Sequence, residues 1–292
     1  MNPPPDGRAP RASGVWLDAL RRLGRSRAAL GAASALAFLV VLAILGPHLN
    51  PNRYDAIDWS CIAMPPGLEH AHWWGTDALG RDLFVRTLLG TRISLAVGLL
   101  ATLVSLLVGI VYGAVAGYAG GSVDHLMMRV IEILAGLPLI FFVILLTVVF
   151  GRSEYLLFAA IGAIGWLTMA RIVRGQTLAI REREFIQAAV ATGAGPVRIL
   201  FRHVVPNVIG PVIVYATLTV PQIILFESFL SFLGLGIQEP QASLGTLIAS
   251  GASEMESAPW MLLIPSAVLA ILLISFHLLG DALRDALDVG DL

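Results

Sequence analysis

The side chains that could do chemistry in this chain are few and widely spaced. The single cysteine, Cys61, excludes an internal disulfide and cannot form a metal site by itself. His70 and His72 could suggest a metal, but no thiol lies beside them and their spacing is not helical, so we predict no metal site. The protease motifs H-E-x-x-H and G-x-S-x-G do not occur. We therefore predict no catalytic residue in this chain.

The basic residues exclude further kinds of site. All 19 of them are arginine, so the chain lacks a phosphate-loop lysine, a Schiff-base lysine and a serine–lysine dyad. If the protein uses nucleotide energy, another chain must bind the nucleotide. The formal net charge of -1 provides no field that would attract nucleic acid.

One acidic residue, Glu227, lies inside a long apolar segment that also contains several prolines. An ionisable side chain within a membrane span costs on the order of a few kcal/mol unless it faces protein or water. We expect Glu227 either to line a pathway through the protein, together with Pro221 and Tyr215, or to form a structural bond to a neighbouring helix.

Composition requires a membrane protein, because 57% of the 292 residues are hydrophobic and only 13% are charged. We predict an all-α integral membrane fold with six transmembrane helices in a lipid bilayer. The apolar runs are 28–45, 93–118, 133–150 with an interruption at Pro138, 155–173, 204–235 and 260–280. Gly46-Pro47 is expected to end the first of them. A cleaved signal peptide is the alternative for that run, but its leader is long and no small-x-small site follows.

The spans divide the chain into five parts. These are a cytoplasmic tail with an interfacial helix near 15–23 (1–27), a first transmembrane helix (28–46), an extracytoplasmic segment (47–92), a transmembrane core (93–280) containing a loop at 174–206, and a cytoplasmic tail (281–292). In the extracytoplasmic segment, we expect Thr76, Asp77 and Asp82 to set the direction of the second span through side-chain bonds to the backbone.

The distribution of arginine predicts the orientation. Five arginines lie on one side, at positions 53, 81, 86, 92 and 152, whereas the other 14 lie in the amino-terminal tail, at 129, in 171–202 and at 284. Both termini and the loop at 174–206 should therefore face the cytoplasm.

The longest charged run between apolar segments is 181–206. Within 184–194, helical spacing places the apolar residues on one face, which predicts an amphipathic helix; these residues are Phe185, Ile186, Ala189, Val190 and Gly193. Gly195-Pro196 should break this helix, and 197–203 should form a second short helix that Pro206 ends. The small residues of the first helix would let a partner approach closely.

This run resembles the signature loop of binding-protein-dependent ABC importer permeases, in which E-A-A, three residues, G, nine residues and I-x-L-P form a docking site for the ATPase. The corresponding residues here are Gln187-Ala188-Ala189, Gly193 and His203-Val204-Val205-Pro206. Gln187 replaces the acid and His203 the isoleucine, and Glu184, one turn earlier on the same face, could substitute for the acid. The resemblance implies eight ATPase-coupling residues, namely Glu184, Gln187, Ala188, Ala189, Gly193, Arg198, His203 and Pro206.

The resemblance extends over nearly the whole chain. Six further blocks look like the peptide and nickel branch of these permeases, in the order GTDALGRDLFVR, AGYAGGSVDHLMMR, ARIVRGQT, RHVVPN, FESFLSFLGLG and GDALRDALD. The blocks YDAIDW, MMRVIEIL and FFVILL look most similar to the C-type membrane subunits of oligopeptide permeases.

The resemblance implies a type I ABC importer permease fold in a bacterial inner membrane. Its partners would be a homologous second permease forming a heterodimer, two ABC ATPases and an extracytoplasmic peptide-binding protein. ATP and Mg would be bound by the ATPases, and this chain would bind no cofactor. Closure of the ATPases around ATP would move the cytoplasmic helix and switch the permease pair from inward-facing to outward-facing. In such a pathway Glu227 could attract the amino terminus of a peptide.

Alternative functions remain compatible with the sequence. Within the same branch, the cargo could be a dipeptide, a murein peptide or nickel. From another class, a proton-coupled secondary peptide carrier could use Glu227 and His277 as a relay, although six spans are few for that class and no inverted repeat is visible. An intramembrane protease would need a serine partner for His277, and the sequence offers no such motif.

Overall fold

The computed structural model describes residues 21–68, 71–150 and 154–287, which form helices joined by turns, with an isolated β-bridge between Thr76 and Asp82. The helices in these ranges are α1 (Arg27–Leu49), α2 (Leu83–Ala119), α3 (Gly121–Ala135), α4 (Leu139–Phe150), α5 (Glu154–Arg181), α6 (Glu184–Ala191), α7 (Pro196–Ile199), α8 (Val205–Phe232), α9 (Leu244–Ser253) and α10 (Trp260–Leu287). A π-helical turn, Leu200–Val204, joins α7 to α8. Most of the predicted interfacial helix near 15–23 lies outside the described residues.

The described helices include four that are long and apolar enough to cross a membrane: α1, α2, the continuous run 196–232, and α10. A fifth span results if α3 and α4, which meet at 79°, are counted together. The interruption predicted at Pro138 is thus a sharp bend, because proline lacks an N–H and disfavours helical geometry in the residue before it. The predicted run 133–150 differs only in its start, since 133–135 are the last residues of α3, which begins at Gly121.

Helix α1 continues through Pro47 to Leu49, so the prediction that Gly46-Pro47 ends it is wrong. Proline at 47 leaves the carbonyl of Ala43 without its helical donor. Arg92 of α2 supplies the missing hydrogen bond, since its Nε donates to Ala43 O and its Nη2 donates to Ile44 O at 2.6 Å. A side chain from a neighbouring helix therefore lets the helix pass its proline.

Helix α2 begins at Leu83, before the predicted start at residue 93, and contains 37 residues. At 1.5 Å per residue it is about 55 Å long, well beyond the ~30 Å of membrane hydrocarbon. The predicted extracytoplasmic segment 47–92 therefore ends in the first turns of a helix, which carry Arg86 and Arg92.

Helices α2 and α5 pack closely along a row of glycines in α2. A methyl group at Gly109 would lie 2.6 Å from Met169 Cβ, one at Gly113 would overlap the Ala170 carbonyl, and one at Gly117 would lie 2.8 Å from the Arg174 carbonyl. Because glycine has no Cβ, this row allows the backbones of the two helices to approach closely.

Replacing Gly113 by alanine should lower the free energy of unfolding by about 1–3 kcal/mol, because the backbone of α5 cannot retreat without disturbing its own hydrogen bonds. The matched control is Gly175→Ala on α5, where a methyl group would meet nothing within 4 Å. That variant should be neutral or stabilising by up to about 1 kcal/mol, because alanine favours helix over glycine. Thermal unfolding of both variants in detergent measures the difference, and equal midpoints would contradict the packing argument.

Candidate functional site

The run 182–206, which we call the connecting element, leaves the membrane bundle after α5 and returns to it in α8. The predicted loop 174–206 is shorter in the structure, because α5 continues to Arg181. Helix α6 ends in a Schellman motif: the Gly193 N–H donates to Val190 O at 2.9 Å and the Ala194 N–H to Ala189 O at 3.0 Å. Gly193 adopts a φ of +83°, which glycine reaches without strain.

The connecting element contacts the bundle through a narrow apolar stripe. Ile186 is buried, and Ala189 is half-buried in the same cluster as Met169 and Val173 of α5. Phe185 and the other large apolar residues that surround this stripe point outwards. Phe185 is 44% exposed, Val190 54%, Val197 68% and Phe201 58%. The predicted helix is present, but only the 186/189 part of its apolar face packs against the bundle, and Phe185 and Val190 stay exposed beside it.

Pro206 does not end the second short helix, contrary to the sequence prediction. The chain passes from α7 through the π-helical turn into α8, where Pro206 occupies the first turn. A first-turn residue needs no helical donor, and the π turn shifts the hydrogen bonds by one residue, with the Val205 N–H donating to Leu200 O. The end of the connecting element, from Pro196 onwards, is thus continuous with α8.

The eight residues predicted to couple to an ATPase all lie on the connecting element, and most face outwards. Ala189 and His203 are half-buried, and the other six are exposed: Glu184, Gln187, Ala188, Gly193, Arg198 and Pro206. The Gln187 amide donates to the carbonyl of Glu182 at 3.3 Å, and the His203 ring lies 6.4 Å from that of Phe185. The coupling role itself stays a prediction.

Two polar contacts hold the last turns of α5, after which the connecting element begins, against α2 and α3. Arg174 Nη2 donates to Asp124 Oδ2 at 2.6 Å, with a second bond from Nε to Oδ1. Arg181 Nη1 donates to the carbonyl of Tyr118 at 3.3 Å. Sequence reasoning could not predict this pair, because Arg174 lies 50 positions from Asp124 in the chain.

The Glu227 carboxylate is fully buried within this chain and is surrounded by serine hydroxyls. The Ser94 hydroxyl donates to Oε2 at 3.0 Å and the Ser231 hydroxyl to Oε1 at 2.7 Å. The Ser94 oxygen also accepts the Leu244 N–H at 3.4 Å, so the group connects α8, α2 and the start of α9. This geometry favours the structural bond among the two roles predicted for Glu227.

The other two residues predicted for a pathway differ in exposure. Pro221 is buried inside α8, whereas Tyr215 is 40% exposed. His277 lies on α10, where its Nδ1 is 2.9 Å from the Leu273 carbonyl of its own helix. The hydrogen bonds of Glu227 and His277 in the described part of the chain do not connect them into a relay. The pathway role of Glu227, Pro221 and Tyr215 stays a prediction.

The start of α2 is fixed as the sequence predicted. The Asp82 carboxylate caps the helix by accepting the Val85 N–H at 2.8 Å. Asp77 Oδ1 accepts the N–H groups of Leu79 and Arg81, and Thr76 Oγ1 accepts the Met64 N–H at 2.8 Å. All three predicted side chains thus bond to the backbone.

The turn before α2 is also linked to the distant loop that follows α8. Arg81 binds Asp77 Oδ2 at 2.6 Å through Nε and Glu239 Oε1 at 2.8 Å through Nη2. Arg86 is buried, and its Nη1 donates to the Tyr54 carbonyl at 3.2 Å. The hydrogen bond from Arg81 lowers the pKa of the Glu239 carboxyl below its ordinary value of 4.5.

The ion pair of Glu239 should make stability depend on pH below neutrality. Because the pKa is lower in the folded chain, the stabilisation is present above the ordinary carboxyl pKa and disappears as the pH falls through the folded value. Glu239→Gln should therefore melt slightly below the wild type at pH 7, and the difference should vanish in acid. Melting curves from pH 3 to pH 7, a range of about four units around that pKa, test this, and a difference that persists in acid would contradict it. Glu254→Gln serves as the control, because in the described part of the chain the Glu254 carboxylate accepts a bond from the Ser257 hydroxyl and pairs with no arginine.

The fold, the apolar spans and the exposed connecting element define a helical membrane protein with an outward-facing apolar surface at that element. Residues 109–289 match the family of binding-protein-dependent transport system inner membrane components, and residues 14–66 match the N-terminal transmembrane domain of oligopeptide transport permease C. The chain belongs to this family of multi-pass inner-membrane permeases, whose members transport solutes and are not catalytic enzymes.

Individual relatives refine this assignment. The chain is similar to the oligopeptide transport system permease protein OppC of Haemophilus influenzae, with 50% identity over 95% of this chain and 89% of the relative. The OppC protein of Escherichia coli K12 is 51% identical over 95% of this chain and 92% of its own length. The dipeptide transport system permease protein DppC of Bacillus subtilis is 46% identical over 93% of this chain and 84% of its own length. The resemblance found in the sequence is therefore confirmed.

Proposed function

We propose that this chain is the membrane-spanning permease subunit of an ATP-driven ABC importer for oligopeptides. The observation that carries the proposal is 50–51% identity, over nearly the whole chain, to permeases named for oligopeptide transport. The absence of lysine from the sequence agrees with a subunit that leaves ATP binding to other chains.

The complex contains a homologous second permease, two ABC ATPases and an extracytoplasmic peptide-binding protein. ATP and Mg are bound by the ATPases, and this chain binds no cofactor for the transport cycle. The six spans are α1, α2, the bent pair α3 and α4, α5, α8 and α10. The arginine distribution supports cytoplasmic termini and a cytoplasmic connecting element.

The connecting element transmits the ATPase movement. The apolar side chains that surround its contact stripe (Phe185, Val190, Val197 and Phe201) and the six exposed coupling residues form a surface that a groove on the ATPase can cover. Residues 196–204 continue into α8 without a break, and only the short turn 192–195 separates them from α6, so a displacement of α6 is passed to α8 and to the buried Glu227 group. ATP drives the switch because the closed ATPase pair favours one arrangement of the two permeases over the other.

Reconstitution tests the proposal. The chain is co-purified with its subunits from the native membrane and placed in proteoliposomes, and uptake of a labelled oligopeptide is measured with and without ATP. We expect uptake that requires ATP and continues when the proton gradient is collapsed. Uptake by the isolated chain, or loss of uptake with the proton gradient while ATP is present, would contradict an ABC permease and support a proton-coupled carrier.

Dipeptides are a second candidate cargo, favoured by the 46% identity to the dipeptide permease DppC. Murein peptides and nickel are the other cargoes of the resembling branch. Direct uptake of each of these solutes in labelled form by the same proteoliposomes distinguishes them, because only a transported solute accumulates with ATP.

A further inference from the structure

The loop before α2 brings three potential metal ligands together. One ligand atom each from Asp58, Cys61 and His72 lies within 4.8 Å of the others. Cys61 and His72 are buried, and Asp58 is partly buried. Along the sequence no thiol lies near the histidines, which is why no metal site was predicted. The fold, however, places the only cysteine, Cys61, beside His72. His70 lies outside the described residues.

The backbone around these residues is held in place. Asp58 and Cys61 belong to one turn, in which the Cys61 N–H donates to the Asp58 carbonyl at 3.1 Å. The Thr76 hydroxyl donates to the Cys61 carbonyl, so the turn is attached to the segment just before α2. Asp58 Oδ1 accepts both the backbone N–H of Ser60 at 2.9 Å and its hydroxyl at 2.5 Å. The Cys61 thiol is a further hydrogen-bond partner of the Asp58 carboxylate, so two of the three ligands already touch each other.

The histidine ring is oriented as a metal-binding imidazole requires. His72 Nδ1 lies 2.8 Å from Asp82 Oδ2, and both side chains are buried. Asn52 Nδ2 also approaches Nδ1, at the longer distance of 3.3 Å. Because the shorter contact is to a carboxylate, which can only accept, the proton of the neutral ring lies on Nδ1 and the lone pair lies on Nε2. A carboxylate that fixes a histidine in this way is the usual outer-shell partner of a metal ligand.

We propose that Asp58, Cys61 and His72 bind a divalent transition metal of the zinc type. One thiolate, one imidazole and one carboxylate are donors that suit Zn²⁺, whereas Mg²⁺ and Ca²⁺ take oxygen ligands. Water completes the four-coordinate shell. Binding requires the Cys61 thiol to release its proton to solvent and the three ligands to close to about 2.0–2.3 Å from the ion.

The bound metal has a structural consequence at α2. It ties the 58–61 turn to His72, and His72 is bonded to Asp82, the residue that caps α2. The ion therefore stabilises the turn-rich cap at the start of α2, independently of the cargo and of the ATPases.

Metal titration of the purified full-length chain in nanodiscs tests the proposal. After treatment with a chelator, Co²⁺ is added as a spectroscopic probe and then displaced by Zn²⁺. We expect one metal per chain, a thiolate-to-cobalt charge-transfer band and a higher melting temperature with Zn²⁺. Cys61→Ser should remove the band and weaken Zn²⁺ binding by at least about 100-fold, and Asp82→Asn, which changes the outer shell, should weaken it by about 10–100-fold.

The control variant is His125→Ala, an exposed histidine whose Nδ1 lies 2.7 Å from the Gly121 carbonyl of its own helix. It should bind metal as the wild type does. Cys61→Ser is the decisive variant, because it changes one atom and leaves the His72–Asp82 contact intact. Absence of a thiolate band in the wild type, or equal Zn²⁺ binding by the wild type and Cys61→Ser, would overturn the proposal.

Discussion

Replacing Gly193 by arginine should detach the ATPases while the chain remains inserted in the membrane. The φ of +83° at this position costs a side chain with a Cβ about 1–2 kcal/mol, so the end of α6 must rearrange. The guanidinium would also project from an exposed turn into the surface that we propose the ATPase covers. A loss of about 2 kcal/mol at such an interface weakens binding by about 30-fold. The measurement is the amount of ATPase that co-purifies with the chain, together with ATP-driven peptide uptake.

Two controls separate docking from folding. Met255→Arg places the same side chain at an exposed position after α9, on the side predicted to face away from the cytoplasm, and should retain the ATPases. Gly195→Arg changes a neighbouring exposed glycine that has an ordinary φ of -68°. It therefore separates the effect of the added charge on docking from the effect of backbone strain. Retention of the ATPases by Gly193→Arg, with uptake at the wild-type level, would refute the docking model.

Replacing Glu227 by alanine should lower the free energy of unfolding by about 1–3 kcal/mol, because the change leaves a cavity and deprives buried serine hydroxyls of their acceptor. Ser94 and Ser231 would lose the bonds that connect α2 and α8. Thermal unfolding in detergent measures the effect. Tyr215→Ala is the control on the same helix, since that side chain is 40% exposed and its removal opens a smaller cavity.

The conservative variant Glu227→Gln tests the role in transport. It retains hydrogen bonds to the serines but removes the acid, so we expect peptide uptake and substrate preference to be unchanged if Glu227 braces the helices. A selective loss of uptake for peptides with a free amino terminus, compared with acetylated peptides, would instead support the pathway role.

Local chemistry in the sequence predicted part of the fold well. The bonds of Asp77 and Asp82 were predictable because each carboxylate accepts backbone N–H groups within four residues. The Thr76 hydroxyl also bonds the backbone, but its partners, Met64 and Cys61, lie 12 and 15 residues away. The close approach along Gly109, Gly113 and Gly117 was also predictable, since glycines at this spacing share one face of a helix.

Long-range contacts explain what the sequence did not predict. The extension of α1 past Pro47 depends on Arg92, and the continuity of Pro206 with α8 depends on a π-helical turn that has no recognised sequence pattern. Phe185 and Val190 are exposed because α6 packs on the bundle only through Ile186 and Ala189, and this contact depends on the position of α5. The proximity of Cys61 to His72 likewise requires a folded loop. The sequence did contain one signal for a second contact surface: α6 has more apolar residues than the narrow stripe facing the bundle requires.

The length of α2 has a mechanical consequence. One end carries the Asp82 cap and the arginine–carboxylate contacts, and the other end lies against Arg181 at the base of the connecting element. Since its hydrogen-bonded backbone is continuous for 37 residues, it behaves as a stiff rod about 55 Å long. If the rod of about 55 Å tilts by about 5° around its end near Arg181, where we propose that the ATPase acts, the opposite end moves by about 5 Å. Such a movement would alter the shape that the far side of the membrane presents to a docking protein.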